Sequence, residues 1–257
     1  MKSYSRIVRA LCVSGALSAG LVFGTAVQAG ELLVSGAASL TNAFKEVGEA
    51  FEKKHSDTKV LNSFAASDVL LQQIVNGAPA DVFASADQKA MDKAVEADAV
   101  VPDSRADFVR NQVVLIVPND NPKNVEGLAS LSNTDVTRIA FGNPETVPVG
   151  RYTKGALEKA GAWEAVTERQ VLGQNVRQVL DYVSRGEVDA GFVFATDAAI
   201  MKDKVKVVEV LETVTPVTYP IAVVKRDGAN PQAQEYVDFI LSDEGQEILA
   251  KYGFSKP

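Results

Sequence analysis

The stretch Leu32-Leu33-Val34-Ser35-Gly36-Ala37-Ala38-Ser39-Leu40-Thr41-Asn42-Ala43-Phe44 decides how this chain folds. It opens as a short apolar run with the character of a buried strand and passes through small residues and a serine. It then takes up helical spacing, with Leu40, Phe44 and Val47 on one stripe. A strand that turns into a helix in this way leaves the first helical N–H groups without intrahelical partners. Those donors, with the positive end of the helix dipole behind them, suit an anion. Ser39 adds a hydroxyl to the set, although on this stretch alone its simpler role is that of an N-cap.

Outward from this stretch the pattern repeats. Residues 60–65 read as a strand, 66–68 as small and polar residues, and 69–74 as a helix, which puts Ser67 where Ser39 stands in the first unit. Ser67 or Asp68 would also serve as a cap there. Two serines in equivalent strand-to-helix turns favour an anion site more than either does alone. Residues 81–86 form a third short strand, with Asp87 capping a helix over 88–95 and Ser85 read as a packing residue. Strands alternating with helices predict βα units around a parallel sheet.

A strongly apolar strand over 111–118 opens a second set. It continues with a strand over 138–142, a loop over 143–150 stiffened by Pro144 and Pro148, and a helix over 151–160 ended by Gly161. Val149 and Gly150 supply backbone at that helix start. Asn175 is a cap for a helix running to Arg185, residues 189–195 are a buried strand, and Thr196-Asp197 cap the helix after it. Runs over 205–210 and 217–224 are strand-like, the second leading back to the first half. Residues 231–252 read as one amphipathic helical region.

The N-terminus points to export. Lys2, Arg6 and Arg9 precede an apolar stretch over 10–27, and Val27-Gln28-Ala29 offers a cleavage site, so residues 1–29 are expected to be a signal peptide removed near Ala29. No later segment reaches the ~18 apolar residues of a membrane span. The single cysteine, Cys12, lies in this leader, so the mature chain relies on its core rather than on disulfides. Removing the leader's three basic residues, with no acid among them, takes the formal charge from −7 to −10. That balance disfavours nucleic acid and anionic membrane as partners. It also means that a bound anion would be held by neutral backbone donors rather than by a basic patch.

Enzyme chemistry finds little support. His55 is the only histidine, in a polar loop, and without cysteine the usual zinc ligands are missing. A nucleophile–histidine pair would have to use His55. Neither a G-x-S-x-G elbow nor a P-loop occurs. Asp81, Asp87, Asp189 and Asp197 stand at strand or helix ends, where capping explains them. A binder fits better, because ligands in open α/β sheets sit at the carboxyl ends of strands, and two lobes joined by crossing strands close on a ligand by hinge motion.

Gly36-Ala37-Ala38-Ser39-Leu40-Thr41-Asn42-Ala43 and the run from Gly77 through Asp81-Val82-Phe83-Ala84-Ser85-Ala86-Asp87 resemble two signatures of the periplasmic molybdate-binding proteins of ABC importers. Gly142-Asn143-Pro144-Glu145-Thr146-Val147-Pro148-Val149-Gly150, Gly191-Phe192-Val193-Phe194-Ala195-Thr196-Asp197-Ala198 and Lys251-Tyr252-Gly253-Phe254 are similar too. The resemblance implies an α/β type II periplasmic binding fold: lobe I over 30–111, lobe II over 112–217, and a return to lobe I over 218–257. It implies one molybdate or tungstate held between the lobes without cofactor or protein-bound metal. The partners would be an inner-membrane ABC permease and its ATPase, and the protein would act as a periplasmic monomer.

By motif, the ligand serines fall on Ser39 and Ser67, and the amide donors on Val149, in a Val-Pro-Val-Gly turn, and Val176, in Asn-Val-Arg. The departure is Phe194, where the family commonly places a tyrosine whose hydroxyl reaches the oxyanion. A hydrogen bond to a charged group is worth about 1.5–3 kcal/mol, and every ~1.4 kcal/mol is tenfold in affinity. Weaker binding than in a tyrosine-bearing relative, or a shifted anion preference, is therefore expected. The alternatives are a receptor for another tetrahedral oxyanion such as sulfate and, from another class, an exported serine hydrolase using Ser39.

Overall fold

A computed structural model describes residues 30–257; the expected signal peptide, residues 1–29, lies outside the described residues. The first lobe opens with β1 (Gly30–Ala37), one 3-10 turn (Ala38–Leu40) and α1 (Thr41–Lys54). The stripe Leu40, Phe44, Val47 and Phe51 is completely buried, which is why this segment packs as a helix on the sheet. β2 (Thr58–Ala65), α2 (Ser67–Val75), β3 (Val82–Ala84), α3 (Gln88–Glu96) and β4 (Ala106–Asn111) follow.

At Gln112 the chain crosses into the second lobe. This lobe comprises β5 (Val113–Pro118), β6 (Ile139–Gly142), α4 (Pro148–Lys159), α5 (Trp163–Thr167), β7 (Gln170–Gly173), α6 (Val176–Ser184), β8 (Ala190–Phe194), α7 (Ala195–Ile200) and β9 (Val205–Val210). Residues 211–216 lead back to β10 (Val217–Val223), and α8 (Ala233–Leu241) and α9 (Asp243–Lys251) pack on the first lobe.

Each lobe carries one five-stranded sheet, in the orders β2-β1-β3-β10-β4 and β7-β6-β8-β5-β9. In both, three strands run parallel, and the strand arriving by a crossover lies antiparallel beside the third. β5 is buried along its whole length, as expected for a strand covered on both faces.

Several expected elements are corrected. The single strand expected over 111–118 is two strands in different sheets: β4 ends at Asn111 and β5 begins at Val113. β4 itself was hidden because only Phe108 and Val109 in it are buried among polar residues. α4 starts at Pro148 rather than at 151, because a proline at the first helical position has its φ already set and needs no N–H acceptor. The C-terminal helical region breaks at Ser242, whose hydroxyl caps α9 by accepting from the Gly245 N–H.

Several expected caps also fail. Ser39 lies within the 3-10 turn before α1, whose N-cap is Leu40, without a side-chain cap. Thr196 and Asp197 lie buried inside the first turn of α7, whose N-cap is Phe194. Ser67 is likewise within α2, after Ala66 as N-cap. Asp87 and Asn175 do cap α3 and α6, accepting from Ala90 and Gln178 N–H.

Asp81 is not a cap but a hub. Fully buried, it accepts from Leu33 N–H (2.8 Å) on β1, and from Arg226 Nη2 (2.7 Å) and Asn230 N–H (2.8 Å) on the segment after β10. It thereby fastens the returning chain to the first strand. Removing the carboxylate leaves the Leu33 and Asn230 N–H groups unpaired as well as the partly exposed Arg226, at a combined cost of about 3–5 kcal/mol. Asp81→Ala is accordingly expected to lower stability by that order in urea titration; a midpoint equal to the wild type would show that the hub carries no stabilising load.

Candidate functional site

Residues at and just beyond the carboxyl ends of β1, β2, β3, β6 and β7, together with the last residue of β8, line one small cavity. From the first lobe come Ala37 to Ser39, Ala65 to Ser67, and Ala86; from the second, Val147 to Val149, Asn175, Val176 and Phe194. The carboxyl-end rule for open α/β sheets accounts for this placement. Ser39, Ser67, Val149, Val176 and Phe194 are thus brought to a single cavity.

The helix starts explain what the cavity offers. Ser67 and Val176 are the first residues of α2 and α6, and Val149 is the second of α4, so their N–H groups have no intrahelical acceptor. Ala66 and Val147, the N-caps of α2 and α4, have no side-chain oxygen with which to satisfy those donors. Pro148 contributes no N–H, leaving Val149 and Gly150 as the first amides of α4. Gly150 has to be glycine, because a Cβ there would lie 1.9 Å from the Gly142 carbonyl oxygen. The Val149 side chain packs towards Gly142, which has no side chain to obstruct it.

Among the described residues, none that lines the cavity carries a charge. Charge stands just outside. Arg151, two residues after Val149, crosses to the first lobe and donates to Asp87 (Nε, 2.7 Å) and Asp68 (Nη2, 2.6 Å). All three side chains are largely buried. Burial opposes the guanidinium charge, but the two carboxylates more than offset it and hold Arg151 above its ordinary pKa. Arg177, immediately after Val176, pairs with Asp197 and donates across the cleft to Asn42 Oδ1 (2.8 Å) and the Ser39 carbonyl (3.3 Å). Both arginines fasten the lobes over the cavity, and neither was singled out from the sequence. Their signal was position, each beginning the polar face of a helix whose first amides line the cavity. A more open cleft between the lobes is lined by charges of both signs, Asp87 and Asp92 with Lys89, Arg110 and Arg151, unlike the uncharged cavity.

Behind the serines lies a second layer. Ser67 Oγ accepts from Ala86 N–H at 3.0 Å. Ser39 Oγ is 3.0 Å from the hydroxyl of Tyr219 on β10, which also receives Asn111 Nδ2 at 3.2 Å. Tyr219 packs against Phe194, with ring centres 5.6 Å apart. His55 stacks on Phe51 and lies near Gln232 and Glu235. These partners, and Tyr219 at Ser39, leave no Ser39–His55 pair among the described residues.

Asp197 is completely buried, and burial raises its pKa from 3.8 to about 6 against the opposing pull of Arg177. The native state therefore binds this proton more tightly than the unfolded chain. The associated stability is fully present below 3.8 and is lost as pH rises through about 6. The difference in unfolding free energy between wild type and Asp197→Asn, followed by urea titration, is expected to fall across that window and to level off above it; a flat difference would show that Asp197 titrates normally.

Residues 32–255 match the family model described as bacterial extracellular solute-binding protein. The molybdate-binding protein ModA of Escherichia coli is 36% identical over 251 residues, covering 95% of this chain and 96% of that protein. The putative ABC transporter substrate-binding lipoprotein YvgL of Bacillus subtilis is 36% identical, covering 87% of this chain and 86% of its own. Among solved structures, the substrate-binding domain of a putative molybdenum ABC transporter from Clostridium difficile superposes with a TM-score of 0.67 at 37% identity, covering 88% of this chain and 99% of that one. With two crossed lobes closing on an uncharged cavity and a match along almost all of its described length, this chain belongs to the bacterial extracellular solute-binding protein family.

Proposed function

We propose that this protein captures molybdate, or tungstate, between its lobes in the periplasm and delivers it to an inner-membrane ABC permease driven by its ATPase. One observation carries the reading: helix and turn starts from both lobes bring neutral N–H and O–H donors at Ser39, Ser67, Val149 and Val176 to one cavity without a charged lining residue. The likeness to molybdate-binding proteins and to a molybdenum transporter domain supports the choice of anion. In this reading the signal peptide is cleaved near Ala29, the lobes are residues 30–111 with 218–257 and residues 112–217, and the mature protein is a monomer.

A dianion enters the open cleft, the lobes rotate about the two crossings, and its hydration is replaced by peptide and hydroxyl dipoles. Arg151 and Arg177 then hold the closed form, since their cross-lobe bonds exist only when the lobes meet. Their own charges are largely absorbed by Asp68, Asp87 and Asp197. The anion is thus held by dipoles, and its release requires only that the lobes part. A fully ionised tetrahedral oxyanion has acceptors at every corner and suits a donor-only pocket, whereas a protonated phosphate carries a hydrogen that would be left unpaired.

Isothermal calorimetry on the mature protein is expected to show sub-micromolar molybdate and tungstate binding and much weaker sulfate and phosphate binding. Replacing Ser39 and Ser67 together by alanine should cost about a hundredfold or more in molybdate affinity, from two charge-assisted bonds of ~1.5–3 kcal/mol each. Tight sulfate or phosphate binding without molybdate heat would overturn the assignment. Phe194→Tyr is expected to tighten molybdate binding about tenfold, as one added hydrogen bond to a charged group would. Unchanged affinity there would show that the missing hydroxyl is already compensated.

A further inference from the structure

The hydrogen-bond order behind Ser39 follows atom by atom. Gln112 N–H donates to Asn111 Oδ1 at 2.9 Å, so the side-chain amide must present its nitrogen on the other side. The two hydrogens of that nitrogen go to Thr196 Oγ1 (2.9 Å) and to Tyr219 Oη (3.2 Å). Tyr219 is fully buried, and its hydroxyl has two partners, Asn111 Nδ2 and Ser39 Oγ. The first is only a donor. If Ser39 donated to Tyr219, the phenol proton would have no acceptor among these partners, a costly arrangement for a buried group. Burial also holds the phenol well above its ordinary pKa, so it keeps its proton.

We propose that Tyr219 is a specificity-determining positioning residue: by donating to Ser39 Oγ it commits the Ser39 hydroxyl proton to the bound anion. Ser67 is committed in the same sense by Ala86 N–H. Each serine has a lone pair occupied from behind, so each turns its hydrogen towards the cavity. The pocket presents hydrogens because the protein fixes them there, not because serine has to. The inference rests on the oxyanion reading of the cavity and names the residue that enforces its selectivity.

Selenate and hydrogen arsenate test it, being tetrahedral dianions of similar size at mildly alkaline pH that differ by one proton. Tyr219→Phe keeps the ring and frees the Ser39 oxygen to accept. In that variant, selenate and molybdate affinities measured by calorimetry are expected to fall about tenfold while arsenate affinity stays unchanged, narrowing the selenate-over-arsenate preference about tenfold. A folded variant with the wild-type preference overturns the proposal, whatever its absolute affinities. A neutron structure of the unsubstituted protein gives an independent answer: a deuteron on Tyr219 Oη pointing at Ser39 supports the proposal, and one on Ser39 pointing at Tyr219 overturns it. Should the unsubstituted protein bind none of these anions, the proposed function fails, while the neutron map still decides the proton order.

Discussion

Peptide N–H groups at the start of a helix must find an acceptor, and here the chain withholds the usual one. Ala66 and Val147 stand where serine, threonine or aspartate would close the first turn. The donors so released converge on one cavity from both lobes, each behind a short strand that fixes where its helix begins. Much of the surrounding architecture serves to place these starts. The parallel strands aim them, Gly142 and Gly150 allow α4 to begin against β6, and the crossings let the two lobes approach.

That arrangement answers how an acidic protein can hold an anion. A guanidinium inside the cavity would attract any anion, including the abundant protonated ones, and would need desolvation at every closure. Here the positive charges stand one shell out, each neutralised by its own carboxylates: Arg151 between Asp68 and Asp87, Arg177 against Asp197. They act on the distance between the lobes rather than on the anion. Selectivity is left to hydrogen-bond polarity and to cavity size.

The sequence made the scaffold legible wherever one physical rule governed a segment. Alternating apolar runs and helical stripes revealed the βα order, and small residues with a serine after a strand flagged Ser39 and Ser67. The anticipated caps at Asp87 and Asn175 were found in α3 and α6 because an aspartate or asparagine before an amphipathic run has a single local solution. What stayed hidden depends on contacts between distant segments. β4 has too few apolar residues to register as a strand and exists because β10 pairs with it. Asp81, Asp189 and Asp197 looked like local caps, yet they bind the segment after β10, the 137–138 backbone and Arg177 respectively. No reading of neighbours along the chain supplies those partners.

The same reasoning explains why Tyr219 escaped notice and why its position matters. It stands near the start of β10, just after the chain returns to the first lobe, and its partner Asn111 ends β4, just before the chain leaves. Asn111 also holds Thr196 at the start of α7 in the second lobe. The bond that orients Ser39 is therefore anchored at both crossings, the segments that must flex if the lobes are to part. A hydroxyl fixed from such a place is set by the same geometry that closes the cavity. In the proposed oxyanion reading the closed form and the donor-only polarity of the pocket arise together, and an anion that cannot accept at Ser39 would meet an unpaired hydrogen at the point where the lobes join.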